Sequence, residues 1–132
     1  MYKVYLKPGK EESLKRFHPW IFSGAIARFD GEPEEGEVVE VYTSKKEFIA
    51  EGHFQIGSIA IRVLSFKQEP INHDFWKRKL EIAYDMRRSI GIATNPTNDT
   101  YRLVHGEGDN LPGLVIDIYA KTAVMQAHSA GM

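Results

Sequence analysis

The chain has 132 residues, of which 42% are hydrophobic and 27% are charged, and this composition is typical of one globular domain or one domain plus a fragment. It contains no cysteine, which excludes disulfides, thiolate metal sites and any mechanism that needs a sulfur nucleophile. The sequence shows neither the roughly 18 uninterrupted apolar residues of a membrane span nor an apolar signal segment after Met1, so we expect a cytoplasmic protein.

Charge is distributed unevenly along the chain, although the formal net charge is only −1. Residues 1–28 hold six lysines and arginines against two glutamates, whereas residues 29–52 hold eight acids against two lysines. This pattern predicts a basic N-terminal face beside an acidic one.

Short β-type runs separated by turn residues fill the first half of the chain. Apolar and polar residues alternate within 39–42 and 59–63, as they do in strands with one face in a core. This spacing predicts a compact barrel or sandwich. The predicted strands are residues 3–6, 20–29, 36–43, 48–54 and 58–66, with one helical turn at 13–17.

The polar, proline-containing stretch 67–73 predicts a domain boundary. Apolar residues then recur every three or four positions from 74 to 92, which predicts a helix that Asn72 or Asp74 would cap. Because the chain ends soon after its last predicted strand with open sheet edges, we expect a truncated second domain. The expected organisation is a first domain at 1–68, a linker at 69–73 and a second domain at 74–132, whose strands are 101–105, 114–119 and 122–128.

The most informative stretch, residues 11–26, combines cations, two large aromatic residues and a turn. A site that grips a nucleic-acid backbone requires this composition. Lys10, Lys15 and Arg16 are candidates to neutralise phosphates, and His18 is a candidate to stack on a base.

Two aromatic residues of this stretch have a simpler interpretation. Trp20, Phe22 and Ile26 alternate along the predicted strand, which favours a place in the core. We therefore assign both aromatic residues to the scaffold, and we expect Gly24 to serve a bend.

A second basic cluster, residues 77–79 with 87–88, lies on the predicted helix. A solvated helix face is the favoured interpretation, because 77 with 81 and 85 with 88 are spaced for intrahelical ion pairs. Lys77, Arg78 and Arg102 are kept as secondary RNA-binding candidates.

The loop 105–113 is rich in glycine and acids, but a strand rather than a helix follows it, which argues against a dinucleotide or phosphate cradle. His105, Glu107 and Asp109 could share one face and bind a metal, although zinc deaminase chemistry would need paired cysteines. A tight, glycine-dependent hairpin is the better account, so we predict neither a metal nor a catalytic residue.

Two motifs carry a family resemblance. S-L-x-R-x-H-P-W-x-F-S-G-A-I at 13–26 and Y-R-L-V-x-G-E-G-D-x-L-P-G-L at 101–114 resemble, in this order, landmarks of the bacterial large-subunit ribosomal RNA cytosine-5 methyltransferases of the RlmI type. The first motif is similar to the family's opening PUA domain. The resemblance spans nearly the whole chain.

The resemblance implies a β-rich mixed α/β fold, in which a PUA-like pseudo-barrel precedes a small α+β domain fragment with one main helix. It also implies a Rossmann-like domain that binds S-adenosylmethionine, and we expect this domain to be absent from the chain. Cytosine-5 methylation requires a cysteine thiolate, so we expect this chain to be non-catalytic by itself and to hold no cofactor.

We therefore expect an RNA-binding portion that positions the substrate of a ribosomal RNA methyltransferase, with large-subunit ribosomal RNA as the partner and no membrane contact. The alternative is an interaction module that docks a protein or a second copy of the chain through the acidic segment 32–40 or the edge near 122–128. A third hypothesis is an autonomous metal enzyme that uses His105, Glu107 and Asp109. The RNA-binding candidates are Lys7, Lys10, Lys15, Arg16, His18, Ser23, Arg28 and Arg62.

Overall fold

The structure, a computed structural model, describes residues 2–16, 18–91, 93 and 100–132, and it describes only the backbone of Ser13 and Lys15. The chain divides into two units, Met1–Glu69 with Ser129–Met132, and Pro70–His128. In the described part of the first unit, the elements are β1 (Tyr2–Leu6), α1 (Glu12–Lys15), β2 (Trp20–Phe22), β3 (Ile26–Asp30), β4 (Val38–Tyr42), β5 (Phe48–Phe54) and β6 (Ile59–Ser65). In the second unit they are α2 (His73–Ser89), β7 (Thr100–His105), β8 (Leu114–Tyr119) and β9 (Thr122–Ala127).

The strands of the first unit form one curled sheet in the order β2-β6-β5-β4-β1-β3. Neighbouring strands are antiparallel except β1 and β4, which are parallel. Inward-facing residues alternate along β1 and β4, where Val4, Leu6, Val39 and Val41 are buried. Leu14 of α1 is buried in the same core. The predicted β-rich mixed α/β fold is confirmed.

The prediction of one strand over residues 20–29 is wrong, because a 3-10 turn at Ser23–Ala25 divides it. The two halves lie at opposite ends of the strand order, since β2 pairs with β6 and β3 pairs with β1. Two backbone bonds anchor the turn, from the Ser23 N–H to the Ser58 carbonyl and from the Lys7 N–H to the Ala25 carbonyl, both at 2.8 Å. At this turn the chain therefore passes from one end of the strand order to the other.

The second unit consists, in its described part, of helix α2 and an antiparallel sheet in the order β7-β8-β9. The Asn72 side chain caps α2 by accepting a hydrogen bond from the Phe75 N–H at 3.0 Å. Helix α2 contacts β7, and Phe75, Ala83 and Val104 are buried. No helix in the described ranges is both long and apolar enough to cross a membrane.

A close contact within the first unit involves the segment Ser129–Met132. The Ala130 N–H donates a hydrogen bond to the Gln55 side-chain oxygen at 3.1 Å. Gly131 lies so close to the His53 ring that an added Cβ would collide with it. His53 is 5% exposed, and this burial lowers its pKa to about 4.

The loop between β7 and β8 is held by an ion pair of the second unit. Arg87 of α2 donates two hydrogen bonds to the Asp109 carboxylate, at 2.5 and 2.9 Å. The same carboxylate accepts the His105 backbone N–H at 2.6 Å. Burial alone would raise the pKa of Asp109, but these hydrogen bonds and the Arg87 charge outweigh burial and lower it.

We predict that replacing His53 with phenylalanine removes a pH dependence of stability. Folded His53 stays neutral down to a pKa of about 4, whereas the unfolded residue takes up a proton near its ordinary value of 6.5. As the pH is lowered from 6.5 to 4, the wild type should therefore lose stability relative to His53→Phe, by up to about 3 kcal/mol. Urea unfolding from pH 7.5 to 4 measures this, with His128→Phe as the exposed control. Equal slopes for all three proteins would contradict the prediction.

We also predict that Asp109→Asn destabilises the second unit at neutral pH by about 1.5–3 kcal/mol, because charged hydrogen bonds are lost from a buried site. Because folding lowers the pKa of Asp109, this stabilisation is fully present when the pH is above the pKa of the unfolded residue. It disappears as the pH falls through the pKa of the folded residue. The gap between wild type and variant in thermal unfolding should thus narrow below pH 4. Asp85→Asn removes an exposed pair with Arg88 and should change stability little.

Candidate nucleic-acid interface

Strand β2 has one residue that faces the core and two aromatic residues that face outward. Ile21 is 3% exposed, whereas Phe22 is 49% exposed and Trp20 is half-buried. Successive side chains of a strand point to opposite faces, so burying Ile21 places both neighbours outside the core. The assignment of Phe22 to the scaffold is wrong, because its side chain is 49% exposed on the face opposite Ile21. Ile26, which was expected in the core with it, does pack against the core.

His18 joins the two outward-facing aromatic residues in a three-ring cluster. Its ring centroid lies 6.1 Å from that of Trp20 and 6.5 Å from that of Phe22, and the last two are 6.4 Å apart in an edge-to-face arrangement. The Trp20 N–H donates a hydrogen bond to His18 Nδ1 at 3.2 Å. The same Nδ1 also lies 3.3 Å from the Trp20 carbonyl oxygen, so the Trp20 backbone holds the imidazole in either tautomer.

A cavity of about 340 Å³ lies beside this cluster. Its floor is apolar, because Leu14 and Ile21 are buried core residues, and the Lys10 side chain lines its rim. An aromatic wall suits a base, and a cation at the edge suits a phosphate. The described residues that line the cavity are Lys10, Leu14, Trp20, Ile21, Phe22, Gly24 and Ala25.

The structure brings some of the predicted RNA-binding residues to this cavity. Lys10 lines it, His18 belongs to the ring cluster, and exposed Ser23 precedes the lining residue Gly24. Arg62 lies opposite Trp20 in the β2–β6 pair, and its Nη1 donates to Gln55 at 2.9 Å.

The other candidates lie elsewhere or are not described. Exposed Arg16 directly follows α1, and exposed Lys7 follows β1. Arg28 of β3 lies over the Tyr5 ring with 4.0 Å between its guanidinium carbon and the ring centroid. The Lys15 side chain is outside the described part of the chain.

The secondary candidates of the second unit are exposed cations with different surroundings. Arg102 forms an ion pair with Asp117 at 2.7 Å, and Lys77 lines a shallow cavity on α2. The Arg78 guanidinium carbon lies 5.5 Å from the Phe75 ring centroid.

In the loop 105–113, the Asp109 carboxylate has a structural role. Among the described residues, no group of three or more histidines, cysteines or acids is placed to hold a metal ion. The Asp109 carboxylate, a candidate metal ligand in the third hypothesis, is instead bonded to Arg87 and to the backbone. The sequence pattern did not predict this pair, since its partners are 22 positions apart.

The PUA-like domain family matches residues 4–66. Ribosomal RNA large subunit methyltransferase I of Vibrio cholerae is 41% identical over 129 residues, which cover 97% of this chain and 32% of that protein. The protein of the same name from Photobacterium profundum is 44% identical over 131 residues, which again cover 97% of this chain and 32% of that protein. The chain therefore spans about a third of the length of the curated relatives that it matches.

Two solved structures share the fold at 20% sequence identity. A Streptococcus mutans protein assigned as a SAM-dependent methyltransferase has a TM-score of 0.80 over 99% of this chain and 34% of its own. A second structure, of a protein described as a methyltransferase in complex with SAH, has a TM-score of 0.81 over 99% of this chain and 33% of the other chain. Residues 4–66 are thus a PUA-like domain, and the chain corresponds to the N-terminal part of the ribosomal RNA large subunit methyltransferase I family.

Proposed function

We propose that this chain binds RNA through the cavity beside β2 and thereby positions the substrate of a ribosomal RNA methyltransferase. The observation that carries the proposal is the exposed cluster of His18, Trp20 and Phe22 next to Lys10. A protein that used these rings for its core would bury them, whereas Phe22 is 49% exposed. Exposed rings beside a cation provide stacking and phosphate contacts together.

The cations and rings in and near the cavity have separate proposed roles. Lys10 neutralises a phosphate, with Arg16 as an additional cation along the backbone of the RNA. An unpaired base enters beside the rings of His18, Trp20 and Phe22, because a base in a duplex already stacks on its neighbours. Holding the target segment in one geometry lowers the entropic part of the barrier for the reaction.

The methyl transfer itself is proposed to reside in the remaining length of the longer protein. The relatives' names state a ribosomal RNA methyltransferase, and SAH is bound in a structure with the same fold over this chain. Within the described residues, the glycine-rich loop after β7 leads into β8 rather than into a helix. It therefore lacks the strand-to-helix turn that a nucleotide-like cofactor prefers, and we propose that S-adenosylmethionine binds elsewhere in the longer protein.

The protein-docking alternative is not favoured by the comparisons. The acidic segment 32–40 also has internal roles in the first unit. Glu35 accepts the Ile56 N–H at 2.9 Å, and Glu40 is 8% exposed and bonded to Gln68 at 2.8 Å. Side chains that are engaged in this way contribute little to a docking surface.

We predict that the double variant Lys10→Ala, Arg16→Ala weakens RNA binding and reduces its salt dependence. Each lost phosphate contact should lower the slope of log affinity against log salt by roughly 0.7 for a single strand. Fluorescence anisotropy with a labelled mixed-sequence RNA 12-mer at several salt concentrations measures both quantities. The charge-matched control is Lys67→Ala, Lys121→Ala, which removes two exposed lysines that do not line the cavity. A wild type without RNA affinity in low salt would contradict the proposed function.

We further predict that His18→Ala and Phe22→Ala each weaken binding of the 12-mer by about 1–3 kcal/mol, since each removes a stacking ring. In a Trp76→Phe background, Trp20 is the remaining tryptophan, and RNA should quench its fluorescence. Ile82→Ala, which removes an exposed apolar side chain of α2, serves as the control. Unchanged affinity in both ring variants, with the cation variant still defective, would restrict the site to phosphate contacts.

A further inference from the structure

A row of aromatic side chains crosses the outer face of the sheet on the side of β3, β1, β4 and β5. Tyr5 and Tyr42 are opposite each other in the parallel β1–β4 pair, and their rings stack with centroids 5.7 Å apart and an interplanar angle of 29°. Phe48 lies opposite Tyr42 and contacts its ring edge to face at 5.8 Å. Arg28 lies opposite Tyr5 on the other side and covers its ring at 4.0 Å.

This row, called the ring row below, is accessible at its Arg28 end. The three rings are half-buried, and Arg28 is exposed. The Arg28 guanidinium lies over the Tyr5 ring while the residue as a whole is exposed, so the side chain remains open to a ligand. A planar guanidinium that is already stacked on a ring offers a flat second surface on which a base can stack.

Cations surround the ring row. The Lys3 ammonium lies 5.5 Å from the Tyr42 ring centroid. The tight turn between Tyr42 and Phe48 carries Lys45 and Lys46, both exposed. These side chains are placed to neutralise phosphates on either side of a stacked base.

The acids nearest to the ring row are mostly withdrawn from solvent. Glu40 and Glu51 occupy the neighbouring cross-strand positions, but they are 8% and 1% exposed. Gln68 donates to Glu40 at 2.8 Å, and the Glu69 N–H donates to Glu51 at 3.1 Å. The exposed acids near the row are Asp30 and Glu47, which leaves the accessible surface with an excess of positive charge.

We propose that the ring row is a second contact for single-stranded RNA, at which an unpaired base stacks on the outward face of Arg28 while Lys3, Lys45 and Lys46 hold the flanking phosphates. The proposal rests on the proposed function, and it adds a binding surface that is separate from the cavity beside β2. A single strand is the partner that fits, because a base in a duplex has no free face to offer.

The experiment compares two RNA probes on the full 132-residue chain. One is a ten-nucleotide oligoadenylate, and the other has the same backbone with abasic spacers in place of the bases. The ring resonances of Tyr5 and Tyr42 are followed by NMR, and the Trp20 indole reports on the cavity beside β2. Oligoadenylate should shift the Tyr5 and Tyr42 signals, and the abasic probe should not.

Affinity measurements with a conservative variant complete the test. Arg28→Lys keeps the charge but loses the planar face, so oligoadenylate should bind at least about 5-fold more weakly while the abasic probe is unaffected. Arg88→Lys makes the same change at an exposed arginine of α2 and should have no effect on either probe.

Distinct results separate this inference from the proposed function. If the Trp20 signal shifts on saturation with oligoadenylate and the Tyr5 and Tyr42 signals do not, the ring row is not an RNA site and the cavity stands. Equal tyrosine shifts with both probes would reduce the row to a charged surface and overturn stacking. Tyrosine shifts that depend on protein concentration without RNA would identify a contact between copies of the chain instead. Absence of binding altogether would overturn both proposals.

Discussion

The curled sheet of the first unit has a single apolar core, and strand alternation then decides what every other residue can do. Burying Ile21 between the sheet and α1 forces Trp20 and Phe22 outward. Burying Val4 and Val41 in the same way places Tyr5 and Tyr42 on the outer face. Both candidate RNA surfaces are therefore consequences of how the core is packed.

Segments from other parts of the chain cover the buried polar groups of this unit. Burial raises the pKa of Glu51, the backbone N–H of Glu69 opposes this by hydrogen bonding, and the charges of Glu40 and Glu69 raise it further. Covering these acids lets a sheet with an acidic central segment present a cationic outer surface. The His53 ring is covered in turn by Gly131, where a side chain would not fit. The charge of the surface thus depends on segments that lie far apart in sequence.

The two units contribute differently to the proposed function. The PUA-like unit carries both surfaces on which rings and cations are combined. In the second unit, a largely buried ion pair between Arg87 and Asp109 holds a loop. Arg102, a secondary candidate for RNA, is paired with Asp117. This contrast favours RNA contacts in the first unit and a supporting role for the second.

Local patterns in the sequence were sufficient for most of the secondary structure. The sequence predicts strands at residues 48–54 and 114–119 with the bounds that the structure shows, and Asn72, one of two candidate caps, is the residue that caps α2. These features are predictable because alternation and capping depend on neighbouring residues. The family resemblance carried by residues 13–26 and 101–114 was also readable from the sequence and is confirmed.

Tertiary structure decided which faces are inside and which distant residues meet. The run 20–29 is broken by a turn at Gly24, where the sequence predicts a bend. The pairing of its two halves with β6 and β1 depends on residues far away in the sequence. The same alternation is compatible with Phe22 inside or outside the core, and the burial of Ile21 beside an exposed Phe22 settles the choice. Charge counting selected Arg28 as a cation, while the stack with Tyr5, Tyr42 and Phe48 exists because three strand pairs bring these residues together.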